Sequence, residues 1–100
     1  MRLIARNTLV AFWTKHPEAK SSLDRWERLM RMSEWATMDE VRSAFPKAKV
    51  LNGERVRFEV AGGDYRLIAS FKFRNRLVFV KFIGTHAEYD RIDALTVSLY

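Results

Sequence analysis

Residues 55–83 read RVRFEVAGGDYRLIASFKFRNRLVFVKFI, a run of apolar segments separated by short polar turns. Residues 55–60 alternate between charged and apolar side chains, which is the period of a β-strand with one buried face. Gly62–Gly63 can supply the positive φ angles of a hairpin turn, and a second strand is predicted from Tyr65 to about Phe73. A further polar turn leads into residues 77–83, which are apolar enough for a central strand. The stretch therefore predicts an antiparallel β-meander.

The second of these strands should divide its side chains between the two faces of the sheet. One face is predicted to carry Tyr65, Leu67, Ala69, Phe71 and Phe73, and the other Arg66, Ile68, Ser70, Lys72 and Arg74. The rings of Phe71, Phe73 and Phe79 are able to stack on nucleic-acid bases, but packing in the core is the expected role of all three.

Before residue 46 the apolar side chains recur at helical spacing instead. The first predicted helix has Asn7 or Thr8 as its cap, Pro17 as its end, and an inward face of Leu9, Phe12 and Trp13. The second predicted helix packs against the first as a hairpin. It begins at a capping box of Ser21 and Asp24, or a few residues earlier, and its inward face consists of Leu23, Trp26, Leu29 and Met30.

Thr37 and Glu40 form a further capping-box pattern, which opens a short helix that Pro46 stops. Residues 1–4 are expected to form a short edge strand, and residues 85–93 a loop or one turn of helix. Together these elements predict one α+β domain spanning residues 1–100, with N-terminal helices packed on an antiparallel β-sheet.

The chain has no cysteine, which excludes disulfides and thiolate metal sites. Known motifs for metal or nucleotide phosphates are missing as well, so we expect no metal and no other cofactor. The longest stretch without a formal charge, residues 7–14, is too short to span a bilayer. A cytoplasmic location without membrane contact is therefore the expectation.

The positive charge is concentrated in the predicted sheet. Residues 47–81 carry nine lysines and arginines against three acids, a difference of six that accounts for the whole net charge of +6. Such a surface is typical of proteins that bind an anionic partner such as RNA. A solvated basic face without a ligand is the alternative.

Residues 84–90 read GTHAEYD and follow the end of a predicted strand, where loops display side chains that a rigid sheet positions. His86 is therefore a candidate for proton transfer, with a structural role in the turn as the alternative. His16 lies at the end of the first helix beside Pro17 and is expected to be structural.

RNA can be cut without a metal when its own 2′-hydroxyl attacks the neighbouring phosphate. The protein must then accept one proton, supply another, and offset the charge that grows on the phosphate. A candidate phosphate clamp consists of Arg66, Lys72 and Arg74 on one strand and Lys81 on the next, leading toward His86 and Tyr89. Solvent-facing positions are the alternative for Lys72, Arg74 and Arg76, whereas Arg66 is expected to be held firmly in the sheet.

Residues 58–68 and 80–90 together resemble the HigB family of toxins within the RelE-like group, and the string Gly84–Asp90 is the more specific part. The resemblance implies an α+β fold and a ribosome-dependent endonuclease activity on messenger RNA. It also implies a cognate antitoxin with a helix-turn-helix domain, similar to HigA, with a heterotetramer of the two proteins as an expected assembly.

The resemblance also implies roles for individual residues. Arg66 looks like the phosphate-facing arginine, His86 and Tyr89 like active-site residues, and Lys81 and Asp90 like their supports. The residues expected to contact RNA are Arg55, Arg57, Lys72, Arg74 and Arg76. Which of His86 and Tyr89 acts as acid and which as base stays open.

The turn after the first strand departs from the family pattern Phe-Asn-Ile-Lys-Gly-Asn-Lys-Tyr-Arg. Glu59, Ala61, Gly63 and Asp64 replace polar and basic residues there, which weakens any RNA contact by the turn or shifts it to Arg55, Arg57 and Lys72. Two other functions are compatible with the residues: an RNA-binding module that cuts nothing, and a domain that binds only an antitoxin or a ribosomal protein.

Overall fold

The structure is a computed structural model, and it describes residues 1–99. Its helices and strands are, in chain order, β1 (Arg2–Ile4), α1 (Arg6–Lys15), α2 (Lys20–Met32), α3 (Met38–Ala44), β2 (Lys49–Val50), β3 (Arg55–Val60), β4 (Tyr65–Lys72), β5 (Leu77–Thr85) and α4 (His86–Tyr89). Single 3₁₀ turns lie at Pro17–Ala19, Ala61–Gly63 and Phe73–Asn75. The α+β fold predicted from the sequence is confirmed.

The sheet has the strand order β1-β5-β4-β3-β2. Strands β3 to β5 form the predicted antiparallel meander, and the short strand β2, which was not predicted, extends it by pairing with β3. The predicted edge strand β1 is also present, but it pairs with β5 in parallel, so the sheet is mixed. Parallel pairing needs a long connection, which the helices between β1 and the meander supply.

One face of the sheet, here called the helix face, carries the core. Its side chains are buried against α1, α2 and α3, and they include Val56, Phe58, Leu67, Ala69, Phe71, Val78 and Val80. Aromatic contacts join the layers: Trp26 meets Phe58 edge to face with ring centroids 5.5 Å apart. The predicted alternation along β3 and β4 is confirmed here.

The opposite face, here called the second face, bears residues that pair across β3, β4 and β5 in three rows: Glu59, Arg66 and Gly84; Arg57, Ile68 and Phe82; Arg55, Ser70 and Phe79. Ile68 and Phe82 are buried without belonging to the main core. Part of their cover comes from α4, since the Tyr89 ring lies 6.2 Å from the Phe82 ring. The sheet is therefore partly covered on both faces.

A β-bulge in β5 determines which side chains reach the second face. Ile68 pairs with Phe82 and Ala69 with Val80, so Lys81 is an extra residue in β5. Because a bulge shifts the alternation by one position, Phe82 and Gly84 lie on the second face, and Ile83 turns to the helix face.

The predicted start of α1 is wrong. The helix begins at Arg6 after Ala5, which has a left-handed φ of 73° and makes no side-chain cap, so neither Asn7 nor Thr8 caps it. The amide of Thr8 instead donates to the Ala5 carbonyl at 3.1 Å. Backbone geometry therefore replaces the side-chain cap.

Helix α2 corrects two further predictions. It begins at Lys20 directly after the 3₁₀ turn, and Asp24 accepts a bond from the Lys20 ammonium at 2.6 Å instead of closing a capping box with Ser21. Leu29 is 39% exposed, whereas Glu27 is buried and paired with Arg6 and Arg31. The inward positions follow the spacing i, i+3, i+4, i+7 from Leu23, which leaves Leu29 at the flank.

Helix α3 confirms its prediction. The Glu40 amide donates to the Thr37 hydroxyl, and the Glu40 carboxylate accepts from the Thr37 amide, both at 3.3 Å. The helix ends at Ala44, two residues before Pro46. Within residues 1–99, no helix combines the length and apolarity needed to cross a membrane.

Candidate active site

Helix α4 starts where β5 ends, and a capping box holds this junction. The Glu88 amide donates to the Thr85 hydroxyl at 3.1 Å, and the Glu88 carboxylate accepts from the Thr85 amide at 2.8 Å. The bond from the Thr85 amide is the main reason that the pKa of Glu88 lies below its usual value. Sequence reasoning missed this role of Glu88, although its spacing from Thr85 matches that of Thr37 and Glu40.

Gly84 allows α4 to lie this close to the sheet. A β-carbon at Gly84 would lie 2.7 Å from Cζ of Phe82 and 3.2 Å from Oε1 of Glu88. Real Cβ atoms do not approach a neighbouring ring so closely, so a larger residue would displace either the Phe82 ring or the α4 cap. The glycine thus sets the position of the residues that follow it.

Arg66 lies in the row between Glu59 and Gly84 and is a largely enclosed cation of the second face. Its side chain is 12% exposed, and its Nη1 donates to the Gly63 carbonyl at 2.8 Å and lies 3.7 Å from Glu59 Oε1. Its Nε is buried and, among the described residues, has no hydrogen-bond partner. A partly desolvated guanidinium with an unused donor is suited to bind an anion.

Arg57 and Tyr89 meet one row away, which is about 7 Å along the strands. The guanidinium carbon of Arg57 lies 5.7 Å from the centre of the Tyr89 ring. The Arg57 Nε is also buried and lacks a hydrogen-bond partner within residues 1–99. Tyr89 therefore lies on the cationic surface and not in the helix-face core.

His86 is the first residue of α4 and faces solvent. Its side chain is 59% exposed, and its Nε2 lies 3.6 Å from Oδ1 of Asp90, which is 64% exposed. The backbone amide of His86 donates to the Asp64 carbonyl at 3.3 Å, so the β3–β4 turn supports the start of α4. Residues at i, i+3 and i+4 of a helix are neighbours, which brings Tyr89 and Asp90 beside His86.

These residues form what we call the α4 cluster: Arg57, Arg66, His86, Tyr89 and Asp90. The cluster contains two cations with spare donors and two side chains able to transfer protons. Within residues 1–99, no three or more His, Asp or Glu side chains converge as metal ligands would.

Four of the five cations predicted to contact RNA lie apart from this cluster, namely Arg55, Arg74 and Arg76, and also Lys72, whose position is described below. Arg55 donates from Nη1 to the carbonyls of Ala94 at 3.1 Å and Val97 at 2.7 Å. Arg74 and Arg76 lie at the β4–β5 turn, at the other end of β5 from α4, and Arg76 forms an ion pair with Glu34. Sequence alternation identified these side chains as polar but not their partners.

Lys72 and Lys81 lie together around Phe79, in what we call the Phe79 patch. The Lys72 and Lys81 ammonium groups are 5.9 Å and 5.3 Å from the centre of the Phe79 ring. The prediction that all three phenylalanines pack in the core is thus wrong for Phe79, which pairs with Ser70 on the second face. It is confirmed for Phe71, which is buried, and for Phe73, whose ring stacks on it at 5.4 Å.

His16 has the packing role expected of it. Its ring stacks on Phe12 with centroids 4.5 Å apart, and its Nδ1 lies 3.4 Å from the Tyr65 hydroxyl. The same hydroxyl donates to Glu18, so these contacts hold the end of α1 against β4.

Known proteins share this chain's pattern over most of its length. Residues 19–92, which contain every element from α2 to α4, match the family model of HigB_toxin, the RelE-like toxic component of a toxin-antitoxin system. The chain is also similar to the mRNA interferase HigB of Escherichia coli O6:H1 (strain CFT073), with 33% identity over 95 residues. That match covers 92% of this chain and 91% of its relative.

Proposed function

This chain belongs to the HigB family of RelE-like toxic components of toxin-antitoxin systems, and from this premise we propose that it is an endoribonuclease that cuts messenger RNA. The observation that supports the proposal best is the enclosure of Arg66 on the face that also carries Tyr89. The Arg66 side chain is 12% exposed, and its buried Nε has no hydrogen-bond partner among residues 1–99. A phosphate would supply the missing acceptor.

The proposed reaction uses the RNA's own 2′-hydroxyl and no metal. The 2′-oxygen bonds to phosphorus and loses its proton to a base, while the bond from phosphorus to the 5′-oxygen breaks and an acid protonates that oxygen. The products are a 2′,3′-cyclic phosphate and a 5′-hydroxyl. DNA would be spared because it lacks the nucleophile.

The α4 cluster offers a group for each task. Arg66 offsets the charge that develops on the phosphate oxygens, with Arg57 as a second cation. His86 and Tyr89 provide the two proton-transfer groups. Asp90, 3.6 Å from His86 Nε2, orients and stabilises the charged imidazole. Lys81 supports the same face from β5.

We further propose that the message is cut on the ribosome. His86 and Asp90 are 59% and 64% exposed, so the site is open and needs another surface to hold the RNA strand in place. An antitoxin with a helix-turn-helix domain, similar to HigA, would neutralise the toxin, with two copies of each protein in the complex.

Producing the chain alone in bacteria tests the proposal. We expect growth arrest and cleavage of translated messages, detected by mapping 5′ ends. The variant R66A/H86A should lose both effects, whereas R28A, which removes an exposed arginine of α2, should keep them. Equal toxicity of R66A/H86A would show that the α4 cluster is not the site.

Isolated components test the chemistry and the ribosome dependence. Cleavage on purified ribosomes should yield 2′,3′-cyclic phosphate ends, should be blocked by a 2′-deoxy nucleotide before the cut bond, and should be absent with free RNA. Binding without any cleavage would instead support the RNA-binding module considered above.

A further inference from the structure

The Phe79 patch lies on the same face as the α4 cluster, and its aromatic ring has no role in the proposed chemistry. Val78 and Val80 turn into the core, while Phe79 between them turns to the second face and stays half-buried. The Phe79 ring therefore lies outside the main core, on a surface that carries cations.

Two lysines flank this ring from neighbouring strands. Lys72 comes from β4 and Lys81 from the bulge of β5, with ammonium groups 5.9 Å and 5.3 Å from the ring centre. Within residues 1–99, neither ammonium lies within 4.0 Å of a carboxylate. As regards residues 1–99, their charges are therefore available to an anionic ligand.

The bulge is what brings Lys81 and Phe82 to the same face in succession. It allows β5 to present a cation beside Phe79 and a buried ring under Tyr89. Bulges commonly redirect side chains near functional sites, and this one lies between the Phe79 patch and the α4 cluster.

We propose that the Phe79 patch is a nucleotide subsite, in which one base of the bound RNA stacks on the Phe79 ring and the adjoining phosphates contact Lys72 and Lys81. This inference rests on the proposed function, since it assumes that an RNA strand lies on the second face. An aromatic platform flanked by cations is the arrangement by which proteins hold single-stranded nucleic acid with little sequence preference. An acidic peptide would use the lysines but would gain little from the ring.

The position of the patch determines which nucleotide it holds. Phe79 and Gly84 pair with Ser70 and Arg66, which are four residues apart in β4, or about 13 Å at ~3.3 Å per residue. Stacked nucleotides rise ~3.4 Å each, so the subsite lies up to about four nucleotides from the phosphate at Arg66. It adds affinity for a flanking nucleotide and leaves the choice of the cut bond to the α4 cluster.

The test is the binding of a single-stranded RNA oligonucleotide that is 2′-O-methylated throughout and therefore cannot be cut. A fluorescent adenine analogue, 2-aminopurine, is placed at each position in turn, because its emission is quenched when it stacks on a ring. We expect quenching at one position only, and about a tenfold loss of affinity in F79L together with loss of that quenching.

Matched variants separate stacking from folding. F79W should bind at least as tightly as the unmodified chain, and F73L, which alters a ring that stacks on Phe71, should not change the affinity. K72A and K81A should each reduce the salt dependence of binding by about one counterion. F79L binding as tightly as the unmodified chain, or no binding by the unmodified chain at low salt, would overturn the proposal.

The same experiment distinguishes this inference from the proposed nuclease. Quenching that depends on Phe79, without cleavage of the matching unmethylated message on ribosomes, would overturn the nuclease and keep the subsite. Cleavage of the message together with unchanged RNA binding by F79L would overturn the subsite and keep the nuclease. If poly-glutamate displaces the RNA and binds F79L as tightly as it binds the unmodified chain, the patch is a site for acidic protein segments, and the proposal is overturned.

Discussion

The helix face and the second face of the sheet are made by the same strands, yet they use alternate residues for opposite purposes. On the helix face, neighbours such as Leu67 and Ala69 are fully buried and uncharged. On the second face, Arg57 and Arg66 are held in the sheet with buried Nε atoms that lack partners within residues 1–99. The comparison indicates that one face supplies the stability that allows the other to hold incompletely paired cations.

Replacing Leu67 by alanine should have the largest effect, because the side chain is fully buried in the core. We expect the free energy of unfolding to fall by about 2–5 kcal/mol. Urea denaturation followed by circular dichroism measures this loss. A loss under about 1 kcal/mol would contradict the assignment of stability to the helix face.

Replacing the adjacent Arg66 by alanine should affect activity instead. Loss of one donor to the developing phosphate charge should slow cleavage about 100- to 1,000-fold, while the free energy of unfolding changes far less than in L67A. Single-turnover cleavage on ribosomes gives the rate, and R28A serves as the charge-matched control. An equal loss of stability in both variants would remove the distinction between the faces.

Replacing Gly84 by alanine should affect both properties. The added Cβ would lie 2.7 Å from Cζ of Phe82 and 3.2 Å from Glu88, so α4 must shift. We expect a loss of about 1–3 kcal/mol in unfolding free energy together with reduced cleavage. G53A is the control, since its Cβ would meet nothing within 4 Å.

Replacing Glu88 by glutamine should have the smallest effect, and that effect should depend on pH. The Thr85 amide lowers the pKa of Glu88 in the folded state, so its contribution is present above the unfolded pKa and is lost as pH falls through the folded value. The stability difference between E88Q and the unmodified chain should therefore be largest near neutral pH and shrink below about pH 4.3. A difference that does not change between pH 7 and pH 3 would contradict the cap at Thr85.

Much of the fold could be predicted from local patterns. The alternation in residues 55–83 determined the meander, and the spacing of Thr37 and Glu40 determined the start of α3. The start of α2 at Lys20 agrees with the prediction that it could begin before Ser21. The predicted side-chain caps of α1 and α2 were wrong, because backbone turns at Ala5 and Pro17–Ala19 serve there in their place. Such turns leave little trace in residue type.

The candidate site could be predicted only as a set of residues. The string Gly84–Asp90 and the charge of the meander pointed to His86, Tyr89 and Arg66, and their proposed roles still await the measurements above. Which cations come together was not predictable. Arg55 is bound by Ala94 and Val97, which lie 39 and 42 positions further along the chain, and Arg76 is paired with Glu34. Partners this distant in sequence depend on the complete fold.

By itself, the sequence determined the strand and helix periods and the concentration of positive charge in the meander, because these depend on neighbouring residues. The tertiary structure decided where the bulge at Lys81 lies. Because of this bulge, Phe79 and Phe82 lie on the same face of the sheet as Arg66. A bulge depends on how two strands register against each other, and that register is a property of the packed sheet rather than of either strand alone.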